Sequence, residues 1–327
     1  MKQAEREIIS NTKKLLADNR IDVFIGYEQG TLPFRTSPCF VHTDPEVQKL
    51  VWNSFCANNL SVYLPHLLRQ RKGHEHTRVG ILCKGCDNRS VVELIKEKQL
   101  SRDDIVIIGI SCAGIVDSTK LQSRLNGGRI IGFDETPDAI VVRLENEEKT
   151  FKKSEFLCEA CRHCAHPIPN VYDILVRSEQ LFPQPVVSDP RVTEFRARNR
   201  DQRWRTLEHE MSKCIRCYAC RNACPNCYCK ECFAEQTAPK WIGVTNDLSD
   251  IIFFHVMRIF HQAGRCVDCG ACVRACPMGV DLRLFTRMLV DEVTDRFGYE
   301  PGLSTKDNAP LSAYRIDDEQ TFMVEPE

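Results

Sequence analysis

The chain has 327 residues, 43% hydrophobic and 27% charged, with a formal net charge of −1. That describes about two globular domains and excludes a basic field for nucleic acid or anionic lipid. Nineteen cysteines are the anomaly, because no ordinary fold of this size needs them.

In chain order, residues 1–18 read as a charged surface helix without the apolar core of a secretory signal. A strand follows at 21–27, and helical periodicity runs over 46–71 with a kink expected at Pro65. The clearest unit is VGILC (79–83), a helix over 88–100 and DIVIIGI (104–110). This is a βαβ unit, expected to be parallel and right-handed. Strands are expected at 128–133 and 139–153, the second a hairpin turning at 145–148. Residues 165–190 are rich in Pro and Asn and carry the domain boundary. A charged helix over 191–210 mixes acids with arginines, so it reads as a solvated face. Helix 248–262 is apolar on most faces and should be buried in its own domain or against a partner. His255 and Arg258 break its apolar run, which is too short to span a membrane. Helix 281–297 stops at Gly298, and the proline-containing tail from 299 is aperiodic, a loop or an arm for a partner.

Two cysteine runs decide the class. Cys214, Cys217, Cys220 and Cys224 precede Pro225; Cys266, Cys269, Cys272 and Cys276 precede Pro277. Both follow the C-x2-C-x2-C-x3-C-P spacing of bacterial two-cluster ferredoxins, in which the fourth cysteine ligates the other cluster. The expected 4Fe–4S sets are therefore Cys214, Cys217, Cys220 and Cys276, and Cys266, Cys269, Cys272 and Cys224. Zinc knuckles do not explain two complete runs each ending in Cys-Pro. The long helix between the runs resembles the helical ferredoxin domains of succinate-dehydrogenase-like and heterodisulfide-reductase-like subunits.

These eight leave eleven of the nineteen cysteines. Cys39 and Cys56 stand alone and read as buried thiols. Cys83 and Cys112 follow the strands of the βαβ unit, at the sheet edge where open α/β sheets place ligands. With Cys161 and Cys164 they make a third cluster site, Cys86 and Cys158 being alternates and zinc the alternative metal. Cys227, Cys229 and Cys232 form a tighter group that the ferredoxin clusters do not need. It is expected to serve a further cluster or zinc near the junction of the two modules, completed by Cys86 or Cys158, or else to consist of spare thiols or of a site shared with another subunit. His163 and His166 beside Cys164 read as supporting or solvent-facing groups rather than a Cys–His nucleophile. Asp87 reads as a helix cap.

IDVFIGYEQGT, VGILCKGCDNRSVVELI, IVIIGISCAG and CRHCAHPIPNVYDI, over roughly residues 20–176, resemble the beta subunits of deazaflavin-coenzyme-reducing hydrogenases and related formate dehydrogenases. Its most telling pieces are the strand-end cysteines and the segment with Cys161, Cys164, Asp173 and Ile174. The resemblance implies an iron–sulfur site from Cys83, Cys112, Cys161 and Cys164, and service as the electron-handling subunit of a larger anaerobic complex. The longer α/β region that holds FAD and deazaflavin in that family is replaced here by the dicluster module, and no phosphate cradle is visible.

The fold expected is α+β: an N-terminal α/β domain with a small, partly parallel sheet (1–180), a mainly helical dicluster 4Fe–4S domain (181–298), and an extended tail (299–327). The function expected is a cytoplasmic iron–sulfur electron-transfer subunit. Its partners would be a hydrogenase or formate dehydrogenase and a heterodisulfide-reductase-type acceptor. The alternative is an oxidoreductase that binds FAD and exchanges hydride with a deazaflavin or nicotinamide. A nucleic-acid-binding sensor is disfavoured by the charge.

Overall fold

The computed structural model describes residues 2–69, 77–178, 189–314 and 316. The boundary expected at 180 and the last residues of the tail lie outside them.

The N-terminal half is built on a five-stranded sheet. Its strands are β1 (Val23–Gln29), β2 (Thr36–Val41), β3 (Val79–Cys83), β4 (Ile105–Ile110) and, later in the chain, Ile174–Val176. A separate antiparallel sheet contains β5 (Ile130–Glu135), β6 (Ala139–Leu144) and β7 (Glu148–Lys152), so Ile174–Val176 is β8. The large sheet has the order β2-β1-β3-β4-β8. Only the β1–β2 pair is antiparallel; β3 and β4 are parallel neighbours, with Cys83 opposite Gly109. The βαβ reading is therefore correct, and β3 and β4 are apolar and buried because helices cover both faces. β2 has no clear signal in the sequence. Pro38 within it fits only because it is an edge strand.

Asp173 fixes β8 to its neighbour. Its carboxylate accepts from the Ile107 amide at 2.7 Å and pairs with Arg102 at 2.7 Å.

Three helical expectations differ in detail. The βαβ helix runs Gly85–Lys96, starting three residues before the 88 expected from sequence. Residues 46–71 are not one kinked helix but two 3-10 turns, Asp44–Lys49 and Leu60–Tyr63, and the helix Leu64–Arg69. Pro65 falls in the first turn of that last helix, where its missing N–H costs nothing. The charged segment is two helices, Pro190–Ala197 and Arg200–Ser212. Asn199 separates them because its side chain accepts from Gln202 and starts the second.

The C-terminal half packs Leu248–Phe260 and Leu282–Phe297 with Arg200–Ser212 around the two cysteine runs. Gly298 stops the last helix in a left-handed conformation, φ 57°. Residues 299–302 then return to the βαβ helix. Glu93, buried there, accepts from the Gly302 amide at 2.6 Å and from the Tyr299 hydroxyl at 3.2 Å. Arg89 donates to the Pro301 carbonyl at 2.8 Å. Gly302 has φ +79°, and a Cβ there would lie 2.4 Å from the Arg89 carbonyl oxygen, so only glycine fits. The start of the tail is thus a strap onto the N-terminal half.

Candidate metal centres

The two ferredoxin runs fold as copies of one another. In each, the residue before the second cysteine and the residue after it are left-handed: Arg216 (φ 55°) and Tyr218 (φ 59°) in the first, Asp268 (φ 54°) and Gly270 (φ 68°) in the second. Three of those four are not glycine, and the conformation costs roughly 1–2 kcal/mol per L-residue. That strain winds each loop so that its thiols face one centre. A short helix follows the third turn in each, Ala219–Asn222 and Ala271–Arg274.

The thiols group across the runs. Burial raises the Cys214 thiol pKa, and Cys276 and Cys217 beside it raise it further. Cys220 is raised by burial and then by Cys214 and Cys276. In the second set burial pushes Cys272 up to about 12, with Cys224 and Cys269 adding to it. Cys266 is raised by burial, by Asp268, and by Cys269 and Cys272. Each run therefore sends its last cysteine to the other run's group. Unligated thiols held this high are protonated, and binding iron would release those protons.

Cationic and polar groups sit against these thiols. His255 Nε2 lies 3.3 Å from Cys214 Sγ. Arg258 is only 4% exposed, with Cys224, Cys227, Cys220 and Cys272 as its electrostatic neighbours. Its Nη2 donates to the Cys220 carbonyl at 2.9 Å. No carboxylate among the described residues pairs with it, and an uncompensated buried cation costs several kcal/mol. Anionic thiolate–cluster groups are the compensation this site offers.

A third cysteine group lies at the carboxyl edge of the large sheet. One cavity is lined by Cys86, Cys112, Cys161 and Cys164, together with Lys84, Arg274 and Cys269 of the second run. Burial pushes Cys112 up to about 12 and Cys164 to about 11, in each case with Cys161 adding to it. Cys86 sits in the first turn of Gly85–Lys96, where the helix dipole favours an anion. Gly85 lets the segment 166–167 approach, since a Cβ would lie 1.9 Å from the His166 carbonyl oxygen. Burial alone would lower the Lys84 ammonium. Asp87, 2.9 Å away, and the facing Cys86 reverse this, so its pKa is raised and it stays charged.

Cys83 is not in this cavity. As the last residue of β3 it is fully buried in the hydrophobic core below the sheet, and no cysteine is among its electrostatic neighbours. Cys86, the alternate in the sequence reading, occupies the place expected of Cys83. Cys158 caps Glu159–Arg162 and faces a neighbouring cleft instead. Cys39 and Cys56 are buried, as thiols without ligand partners should be, and burial pushes them to about 11 and 12. His166 pairs with Glu300, and His163 lies 3.5 Å from Glu159. Cys227, Cys229 and Cys232 line a separate cavity of about 650 Å³ that also reaches Cys224.

Four sulfurs around zinc at about 2.3 Å lie roughly 3.8 Å apart. Among the described residues, the only three ligand-type side chains with donor atoms all within 4.8 Å are Glu159, His163 and Asp189. Asp189 is already held by Arg191 at 2.9 Å and by Arg283.

The third group touches the second directly. Cys269 is an electrostatic neighbour of Cys86. Arg274, half-buried, has Cys158, Cys161, Cys269 and Cys86 around it, and donates to the carbonyls of Cys269 at 2.8 Å and Ala57 at 2.9 Å. Neither Arg274 nor Lys84 is marked by any cysteine spacing. Arg274 emerges only when the two halves are packed together, whereas Lys84 is held within the N-terminal half by Asp87 and the Asn58 carbonyl.

The 4Fe-4S dicluster domain family matches residues 210–280, the span that holds both ferredoxin-type runs. Over nearly its whole length the chain is similar to the F420-dependent formate dehydrogenase subunit beta of Methanocaldococcus jannaschii, 23% identical over 89% of this chain and 90% of the relative. It is likewise similar to the F420-dependent formate dehydrogenase 1 subunit beta of Methanococcus maripaludis, 22% identical over 91% and 90%. Among solved structures, a chain of the F420-reducing [NiFe] hydrogenase complex from Methanosarcina barkeri aligns at TM-score 0.39 and 16% identity, over 52% of this chain and 61% of that one. No helix among the described residues is long and apolar enough to cross a membrane.

Proposed function

We propose that this chain is the electron-relay subunit of a multi-subunit anaerobic redox complex. It would carry single electrons between a catalytic partner of the formate dehydrogenase or hydrogenase type and an acceptor such as a heterodisulfide-reductase-type complex. The observation that carries this reading is the contiguity of three thiol groups: Cys86, Cys112, Cys161 and Cys164; then Cys266, Cys269, Cys272 and Cys224; then Cys214, Cys217, Cys220 and Cys276. Cys269 and Arg274 join the first two, and Arg258 joins the last two.

When bound, 4Fe–4S clusters supply one-electron chemistry at potentials tuned by charge, hydrogen bonds and burial. The chain's own contribution is to fix the groups in a row, exclude water, and set the field with Lys84, Arg274 and Arg258. Leu248–Phe260 buries Ile251 and Phe254 but leaves Phe253 44% and Phe260 59% exposed, which suits a subunit partly covered by others. The cytoplasm, where thiols stay reduced, is the compartment such a chain needs.

The second reading, flavin chemistry, has one observation in its favour. A cleft of about 450 Å³ opens beside Cys158 and Arg274, with Arg35, Lys120 and Arg191 on its walls. Most of its cations are already engaged: Arg191 with Asp189 and Asp281, Arg283 with Asp268, and Lys120 with the Glu155 carbonyl. Flavin analysis of anaerobically purified protein separates the readings. The relay predicts iron without flavin. Stoichiometric FAD, with clusters reducible by a deazaflavin or nicotinamide hydride donor, would replace the relay with the enzyme.

A further inference from the structure

The cavity holding Cys227, Cys229 and Cys232 lies at the junction of the two halves. His66 of the helix Leu64–Arg69 forms one wall, and Arg258 and His261, from Leu248–Phe260 and its C-terminal cap, form another. Arg69 ties the halves together there by donating to the Tyr228 carbonyl at 2.8 Å. The cavity's charge is one-sided. Arg221, Lys230, Arg258 and Arg265 line it, and Glu235 is the one carboxylate on its wall.

Two of those cations present unused donors. Arg258 Nε is buried without a hydrogen-bond partner, and so is Arg221 Nη1. Arg221 engages Glu235 only through Nη2, at 2.9 Å. Arg258 is already faced by the relay thiols, but the Arg221 donor is not, and a buried guanidinium donor without an acceptor is costly, so its presence in the wall of a cavity of about 650 Å³ calls for an anion inside it. Three thiols on the same wall specify the anion's chemistry. Cys227 lies beside Gln262 and Arg258, and Cys232 beside Arg221.

We propose that Cys227, Cys229 and Cys232 hold a fourth iron–sulfur cluster in this cavity, with Arg258 and Arg221 as its counter-cations. Its three cysteines are not among the twelve of the relay, although Cys227 lies against Cys224 of the second group, and the site does not depend on the identity of any partner. Three thiolates leave one iron of a cubane without a cysteine ligand, unlike the fully ligated clusters of the relay. That iron would face the cavity and be open to a small exogenous donor. Since Arg258 also neighbours Cys220, Cys224 and Cys272, the site branches from the point where the two ferredoxin-type groups meet.

The test uses full-length protein purified without oxygen. Replacing Cys229 and Cys232 by Ser is expected to remove about three to four irons per chain while the relay's signals in electron paramagnetic resonance persist. Because loss of all iron could report misfolding, alkylation gives an independent readout. Cys229 is exposed in the protein and should react quickly with iodoacetamide if free. As a ligand it should be protected, and become reactive once the clusters are stripped by a chelator and oxidant. Full labelling of Cys229 in the iron-loaded protein would overturn the proposal, as would unchanged iron in the double variant, or zinc rather than iron being lost from it.

Discussion

The two cysteine runs share a backbone but differ in their surroundings. The second run is interior. Cys269 faces the cavity of the N-terminal half, Arg274 reaches the Ala57 carbonyl, and Asp268 is gripped by Arg283 at 2.7 Å and Arg287 at 3.1 Å. The first run is peripheral. Cys217 is exposed, Ile215 is 52% exposed, and Arg216 holds the segment before Thr245, including exposed Trp241 and Val244, by donating to the Thr245 carbonyl at 2.7 Å. In the proposed relay, one fold repeat would supply both an internal bridge and a surface terminal. Position relative to the other half, rather than ligand spacing, assigns the roles.

The largest effect expected is loss of the bridge. Cys272→Ser should remove about four irons and disconnect the sheet-edge group from the surface group, while Cys217→Ser should spare reduction of the sheet-edge group by dithionite. Rapid-freeze resonance spectra of each variant check this. A Cys272→Ser protein whose surface group still equilibrates with the sheet-edge group would show that the bridge is elsewhere.

Next is the choice between Cys86 and Cys83. Cys86→Ser should cost the sheet-edge cluster, about four irons, whereas Cys83→Ala should leave iron content intact and cost only some stability. Iron analysis of the two variants settles the ligand.

A smaller effect is expected at Arg274. Replacing this half-buried cation by Gln should lower the potentials of the two groups it touches by on the order of 60 mV, a tenfold change for one electron, and leave the surface group unaltered. A redox titration that moves all three equally would remove its bridging role. The smallest effect is on the strap. Gly302→Ala should cost roughly 1–3 kcal/mol through a strained backbone and the Arg89 contact, lowering the melting temperature without altering spectra.

Much of this arrangement is legible in the sequence because its ligands are local. The two runs fix eight ligand positions by spacing alone, and β3, the helix after it and β4 follow from a buried β-branched pattern. The sheet-edge group is harder because its four cysteines come from separate elements. Whether Cys83 or Cys86 takes part turns on where one helix begins. Started at 88, the helix leaves Cys83 as the natural strand-end ligand; started at Gly85, it lifts Cys86 to the edge while Cys83 stays in the core. The cations escape notice for a different reason. Arg258 stands out in an apolar helix, but its purpose depends on thiols brought near it from residues 220, 224 and 272. Arg274 looks like an ordinary surface residue until the halves meet, and Lys84 until β1 and the helix after β3 close over it.

The central claim is that the sheet-edge and bridging groups form adjacent members of one electron path. The most direct measurement is the electron paramagnetic resonance spectrum of the fully reduced protein, compared with that of Cys86→Ser. The account predicts a broad, spin-coupled spectrum in the wild type that loses one interacting component in the variant. A wild-type spectrum that is a simple sum of isolated signals, unchanged by the substitution, would contradict it.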